Sequence, residues 1–212
     1  GKGVEIRDSV DSEGTLTYTD IAAKEGEPFA EEVSWVEGRF ANKKAVRLDQ
    51  CSFVGKAYNI ENNAFTFECW IKKNGTGARL SGTGFAQGGI IAEPAGFSEG
   101  WRVFTDYNTA DGPVGIQIGR KTGTASNRSK PVTDSVWHHI VITWDGKIIS
   151  IYIDGFLNTT NNWTDSYVPS KAQLLIGYIA GGLGTVNIDY DEIAIYNRVL
   201  SESEINNHYQ LK

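Results

Sequence analysis

Apolar residues return at every second position in short runs along this chain, and Gly, Asn and Asp cut the runs apart. The segment Phe65-Thr66-Phe67-Glu68-Cys69-Trp70-Ile71 is typical. A period of two sends successive side chains to opposite faces of a strand, so such a run buries one face only as part of a sheet. The pattern predicts strands over Lys44–Leu48, Phe65–Lys72, Gly89–Glu93, Trp101–Tyr107, Val114–Gly119, His138–Trp144, Ile148–Ile153, Gln173–Tyr178 and Asn187–Asn197. No long segment has the period of about 3.6 residues that marks a helix. One short exception follows Leu200, where Ser201 and Glu204 have the spacing of a capping box. Many short strands joined by polar turns build two packed antiparallel sheets. We expect an all-β, antiparallel two-sheet jelly-roll sandwich, one domain over residues 1–212.

A hydrophobic fraction of 40% supplies a real core, and 22% charged residues fit neither a disordered chain nor a coiled coil. The net charge of −6 excludes a nucleic-acid partner, which needs a basic footprint. No apolar run reaches the length of a membrane span, so no membrane insertion is expected. The two cysteines, Cys51 and Cys69, make no disulfide framework. Alternation puts Cys69 on the apolar face with Phe67 and Ile71, so a buried free thiol is expected. A Cys51–Cys69 bridge is the alternative in an oxidising compartment.

Three segments carry a resemblance: Ile188–Ser201, Trp137-His138-His139-Ile140-Val141-Ile142-Thr143-Trp144-Asp145-Gly146, and Ile151-Tyr152-Ile153-Asp154-Gly155. Together they resemble the laminin G-like domain of the concanavalin A-like lectin and glucanase superfamily, which also holds the pentraxins. The resemblance implies a concanavalin A-like sandwich that binds a glycan or polysaccharide without turning it over. It also implies a secreted or cell-surface protein, bacterial in origin, with neighbouring domains in a larger chain. A protein-binding adhesion domain is the alternative function, and a polysaccharide hydrolase or lyase of the same fold is a third. The pentraxin strand that matches Cys69 pairs its cysteine with a residue that falls at Val141 here. The acidic loop of the pentraxin calcium site falls at Ile176–Gly181, which holds no carboxylate.

Catalytic signatures are missing. There is no Gly-x-Ser-x-Gly elbow, and no Glu-x-Asp-x-x-Glu of the laminarinase type. Gly82-Thr83-Gly84-Phe85-Ala86-Gln87-Gly88 looks like a dinucleotide fingerprint, but its third glycine is late and no helix follows to face a pyrophosphate. His138 and His139 are neighbours on a strand and point to opposite faces, so they cannot share a metal. His208 stands alone near the C-terminus. We expect no enzyme activity.

Asp189 and Asp191 share a face with Ile193 and Ile195 under strict alternation, which turns both carboxylates inward. Two inward carboxylates repel each other and are costly to desolvate, and a calcium ion with oxygen ligands would resolve both problems. Asp191-Glu192-Ile193-Ala194-Ile195-Tyr196 resembles the laminarinase-type strand whose leading aspartate holds a structural calcium. That resemblance implies Asp191 as a ligand, with backbone near Asp8 and Asn42 helping. The competing reading makes Asp191 a rim residue that accepts backbone hydrogen bonds.

Function on such a sandwich is expected where side chains leave the core. Alternation turns Glu68 and Trp70 outward from one strand, Arg102, Phe104 and Asp106 from a second, and Gln117 from a third. If these strands share the concave sheet, the residues form one surface of rings, carboxylate, guanidinium and amide. Sugars need that mixture, because their CH faces stack on rings while their hydroxyls pair with planar polar groups. Four long loops were expected at Asn74–Gly88, Asn108–Pro113, Arg120–Ser135 and Asn158–Ser170. From them Arg120, Arg128, Trp163 and Tyr167 would form the rim, with the basic residues suiting an anionic glycan. The competing reading packs Trp70 under a loop and pairs Glu68 with Arg102 across strands. Four Asn-x-Ser/Thr sequons, at Asn74, Asn127, Asn158 and Asn162, all fall in these loops.

Overall fold

The computed structural model describes residues 5–7, 15–19, 33–49, 52–54, 60, 64–75, 87–92, 99–106, 111–120, 123–163, 167–170, 172–177 and 187–211. Along the chain run β1 (Glu5–Arg7), β2 (Thr15–Thr19), β3 (Val33–Glu37), β4 (Lys44–Asp49), β5 (Ser52–Val54) and β6 (Phe65–Lys73). They are followed by β7 (Gln87–Ala92), β8 (Trp101–Asp106), β9 (Pro113–Arg120), β10 (Gly123–Pro131), β11 (Trp137–Trp144) and β12 (Ile148–Ile153). The last elements are β13 (Phe156–Asn162), β14 (Leu175–Ile176), β15 (Asn187–Tyr196) and helix α1 (Glu202–Gln210).

The strands form two antiparallel sheets. One has the order β1-β2-β5-β14-β7-β8-β9-β10 and the other β13-β12-β11-β6-β15-β4-β3. Their inner faces meet in one core cluster that includes Phe65, Phe67, Cys69 and Ile71 of β6, Trp101 and Val103 of β8, Ile116 and Ile118 of β9, and Ile140, Ile142 and Trp144 of β11. The Trp101 ring lies 5.3 Å from that of Phe65 and 6.4 Å from that of Phe67, so one indole ties β8 across the sandwich to β6. Cys69 is unpaired and buried in this layer, and burial pushes its thiol pKa well above the ordinary range. Cys51 lies outside the described residues, as do Asp8, the 82–86 part of the glycine-rich motif and residues 178–181.

Two expected loops contain strand. β10 covers 123–131 of the expected 120–135, and β13 covers 158–162 of the expected 158–170. Both are outermost strands, rich in Asn, Thr and Ser, so alternation is faint in them. They close one side of the sandwich with asparagines. Asn127 donates Nδ2 to the Ile149 carbonyl at 3.3 Å, Asn161 donates Nδ2 to the Ser126 carbonyl at 2.9 Å, and Asn158 Oδ1 accepts from the Lys130 amide at 2.9 Å. Three of the four sequon asparagines, Asn127, Asn158 and Asn162, therefore sit in strands. The strand expected over Gln173–Tyr178 is reduced to β14, Leu175–Ile176.

The inward orientation expected for Asp189 and Asp191 is wrong. Asp191 is opposite Trp70 and Ala194 is opposite Glu68, so β15 carries one extra residue between these pairs. Such a bulge resets the alternation, and Glu192 takes the left-handed φ of 47° inside it. Ile188 and Tyr190 face the core before the bulge, and Ile193 and Ile195 pack against it afterwards. Asp189 and Asp191 thus stand on the outer face.

Helix α1 covers part of that outer face. Its capping box is complete: the Ser201 side chain accepts from the Glu204 amide, and the Glu204 carboxylate accepts from the Ser201 amide. Ile205 docks with Leu200, Val141 and Tyr152 in a second apolar cluster. The β12–β13 turn is Asp154-Gly155, with φ of 53° and 80°, the left-handed pair that a two-residue hairpin requires.

Candidate functional site

The expected single ligand surface does not form. Glu68 and Trp70 belong to the seven-stranded sheet, while Arg102, Phe104 and Gln117 belong to the other. Outward faces of opposite sheets point apart.

Glu68 and Trp70 do leave the core, but α1 covers them. Trp70 is 3% exposed and stacks on Tyr209 of the helix with ring centroids 5.8 Å apart. His139 lies 5.0 Å from the same indole, and the Arg39 guanidinium sits 4.6 Å from its ring centre. Burying a large apolar side chain stabilises by about 1.5–3 kcal/mol, so the indole holds the helix to the sheet. Glu68 Oε1 lies 2.7 Å from His139 Nε2 and 3.0 Å from His208 Nδ1. Burial raises the Glu68 pKa, but hydrogen bonds from His139, His208 and Tyr196 outweigh it and hold the carboxyl below its usual range. A carboxylate beside two imidazoles is also the material of acid–base catalysis. Here Glu68 and His139 are both buried, and only His208 of the three is partly exposed. His208, which looked isolated, is the helix's contribution to this junction. The Trp70–His139–Tyr209 stack could not be read from β6 alone, because alternation shows that a residue leaves the core but not what then covers it.

Asp189 is fully buried between cations. Arg47 binds it through Nε at 2.6 Å and Nη2 at 3.0 Å, Lys72 Nζ lies at 3.1 Å, and Asn74 Nδ2 donates at 2.9 Å. Burial raises its pKa, and these partners bring it below the ordinary value. Among the described residues, Asp191 accepts from two backbone amides, Arg39 at 2.9 Å and Glu192 at 3.0 Å, and burial leaves its pKa raised. Gly38 fits against it: a Cβ there would meet Asp191 Oδ2 at 2.8 Å. Among the described residues no three His, Cys, Asp or Glu side chains gather as a metal-ligating group.

Trp163 and Tyr167 are core residues rather than rim residues. Trp163 stacks on Trp144 at 5.2 Å, and Tyr167 meets Trp144 edge-on at 6.4 Å. Arg120 ends β9, and its side chain lies outside the described residues.

Three of the expected residues do come together, with Arg128 beside them. On the outer face of β8, β9 and β10, Arg102 is opposite Gln117 and Gln117 is opposite Ser126. The next row holds Phe104, Gly115 and Arg128. Arg102 Nε donates to Gln117 Oε1 at 2.5 Å, which leaves the Gln117 amide NH2 as the outward donor. Burial lowers the Arg102 pKa to about 10, so the group stays cationic at neutral pH. Gly115 has no side chain to oppose the Phe104 ring, since a Cβ there would lie 2.5 Å from Cζ. The ring fills that gap, and the exposed Arg128 guanidinium lies over it at 5.2 Å. Phe104 is buried and cannot stack on a sugar. Arg102 itself is buried, and what these two rows present to solvent is the Arg128 guanidinium and the Ser126 hydroxyl, with Gln117 half-buried between them.

Two antiparallel sheets around one core, with one short helix on an outer face, define an all-β jelly-roll sandwich. A laminin G-type family model, described as the concanavalin A-like lectin/glucanases superfamily, matches residues 49–206, and the chain belongs to that superfamily. No curated protein sequence matches it. Among solved structures, the binding domain of Paraclostridial Mosquitocidal Protein 1 superposes with a TM-score of 0.67 at 18% identity, over 84% of this chain and 45% of that one. The botulinum neurotoxin serotype G binding domain gives 0.63 at 16% identity, over 92% and 48%. A botulinum neurotoxin type C structure, whose cell entry is described as dependent upon interaction with two ganglioside molecules, gives 0.61 at 15% identity, over 85% and 45%. These likenesses are of fold, and this chain spans less than half the length of each solved chain.

Proposed function

We propose that the chain is a non-catalytic carbohydrate-recognition module of a secreted or cell-surface protein, working beside neighbouring domains of a larger chain. Membership of a lectin-like superfamily supports this, and so does the likeness to binding domains rather than enzymes. The observation that carries it is the donor row on β8–β10, with Arg102 held on Gln117 and Arg128 laid over Phe104. Planar donors fixed on strands suit the carboxylate or sulfate of an acidic glycan, which only accepts. A glycan array that includes sialylated and sulfated oligosaccharides tests the reading. Acidic glycans are expected to bind, and Arg128→Ala and Gln117→Ala are each expected to weaken them about tenfold, the loss of one charge-assisted contact. No binding to any glycan would overturn the proposal. Wild-type affinity in both variants would move the site elsewhere.

A structural calcium at Asp191 is a second part of the proposal. Its support is the family strand, together with a buried carboxylate that, among the described residues, has no cationic side chain bound to it in the way Arg47 and Lys72 hold Asp189. A carboxylate offers about four lone-pair sites, and two backbone amides leave the others open to a hard cation. Asp189 spends its oxygens on Arg47, Lys72 and Asn74, so Asp191 is the ligand on which the proposal rests.

A further inference from the structure

We infer that the groove between the β12–β13 hairpin and α1 is a second ligand site, shaped for a neutral sugar ring stacked on Phe156. This takes the ligand class from the proposed glycan recognition, but the site is on the other sheet and its chemistry is different.

The groove encloses about 420 Å³ and is lined by Tyr152, Gly155, Phe156, Leu157 and the Glu202, Ser203, Asn206 and Asn207 face of α1. That volume is within the range of small-molecule clefts, about 300–1,000 Å³. The helix places its two faces differently. Ile205, His208 and Tyr209 face the sheet, while positions 202, 203, 206 and 207 share the face toward the hairpin.

Phe156 follows the Asp154-Gly155 turn directly, and 66% of it is exposed, the highest value among the exposed large apolar residues described. Its ring meets that of Tyr209 at 6.5 Å and 63°, an edge-to-face pair. Gly155 lets the hairpin approach that tyrosine, because a Cβ there would lie 3.0 Å from the Tyr209 ring. One exposed ring is unremarkable by itself. Beside this one stand two side-chain amides, a hydroxyl and a carboxylate. Glu202 faces the Tyr152 hydroxyl across the groove, and burial together with that carboxylate raises the tyrosine's pKa.

Amides both donate and accept, and a sugar hydroxyl does the same. An apolar ring face beside such groups meets the two sides of a pyranose. The lining has no cation and one carboxylate, so it disfavours acidic sugars, in contrast to the donor row on β8–β10.

NMR titration of the isotope-labelled chain tests this, with cellotriose, chitotriose and N-acetyllactosamine as neutral probes and sialyllactose as the acidic one. At least one neutral probe is expected to shift the amide signals of residues 155–157 and 202–207. Phe156→Ala is expected to weaken that probe at least tenfold. Phe156→Trp should retain it. Phe156 is exposed, so neither substitution removes core packing, and a wild-type denaturation midpoint confirms the fold. If no neutral probe shifts these signals, or Phe156→Ala binds like wild type, the inference is overturned. Sialyllactose shifts confined to residues 115–128 would then leave the proposed function standing, whereas silence from every probe would sink both.

Discussion

Asp189 and Asp191 stand two residues apart on the outer face of one strand, and their surroundings move their acidities in opposite directions. Asp189 lies among Arg47, Lys72 and Asn74, which outweigh its burial and lower its pKa from 3.8. Asp191 accepts from the Arg39 and Glu192 amides, and burial raises its pKa from the same 3.8. A depressed pKa stabilises the fold above the unfolded value, and that contribution is lost as pH falls through the folded value. A raised pKa penalises the ionised fold at neutral pH, and the penalty lifts on acidification. Asp189→Asn is therefore expected to cost about 2–4 kcal/mol at pH 7, because it leaves two cations facing a neutral amide. Its deficit should shrink below pH 3.8. Asp191→Asn should cost only about 1 kcal/mol, one hydrogen bond's worth. Denaturant melts of both variants across pH check the pair.

The Trp70 indole under α1 makes a second expectation. Trp70→Ala should destabilise the domain by about 3–5 kcal/mol, the range for emptying a buried aromatic site. His208→Ala should cost about 1–2 kcal/mol, since it removes one of the imidazoles bound to Glu68. Urea midpoints are the measurement. A Trp70→Ala protein as stable as wild type would mean that the stack adds nothing.

Cys69 is buried between the sheets, and its thiol pKa is raised. In a Cys51→Ser background the native protein should not react with a thiol reagent, and one thiol should appear on denaturation. Fast native labelling would contradict the buried placement.

For calcium, calorimetric scans with and without a chelator provide the check. Calcium is expected to raise the wild-type melting temperature through binding to the folded state, and to leave Asp191→Ala unchanged. Identical scans for wild type in both buffers would remove calcium from the proposal.

Alternation in β6, β8, β9, β11 and β12 was legible because each carries large apolar residues at every second position of its core face. The capping box at Ser201 was legible because it is purely local. Three features were not. The bulge at Asp191–Ala194 falls at Glu192, a residue with no preference for positive φ, so nothing marked the change of phase. β10 and β13 bury little, so packing imposed no apolar rhythm on them, although Asp154-Gly155 was a usable hairpin signal before Phe156. The grouping of Glu68 with Arg102 failed for a different reason. Face is a local property, but sheet membership depends on how distant strands pair. Gln117 and Arg128, grouped with Arg102 from sequence on the condition of a shared sheet, do meet it because β8, β9 and β10 are neighbours.

The asparagine seam between β10 and β13 bears on how this protein can be made. A eukaryotic secretory host attaches sugar to the Nδ2 of Asn-x-Ser/Thr asparagines. At Asn127 that same atom is buried and bonded to the Ile149 carbonyl, and at Asn158 the side chain already receives the Lys130 amide. An oligosaccharide added to the growing chain at Asn127 would have to sit where the two outermost strands meet, and the sandwich could not close around it. Bacterial expression, or Asn127→Gln with its longer amide, avoids a conflict in which the secretory machinery itself prevents folding.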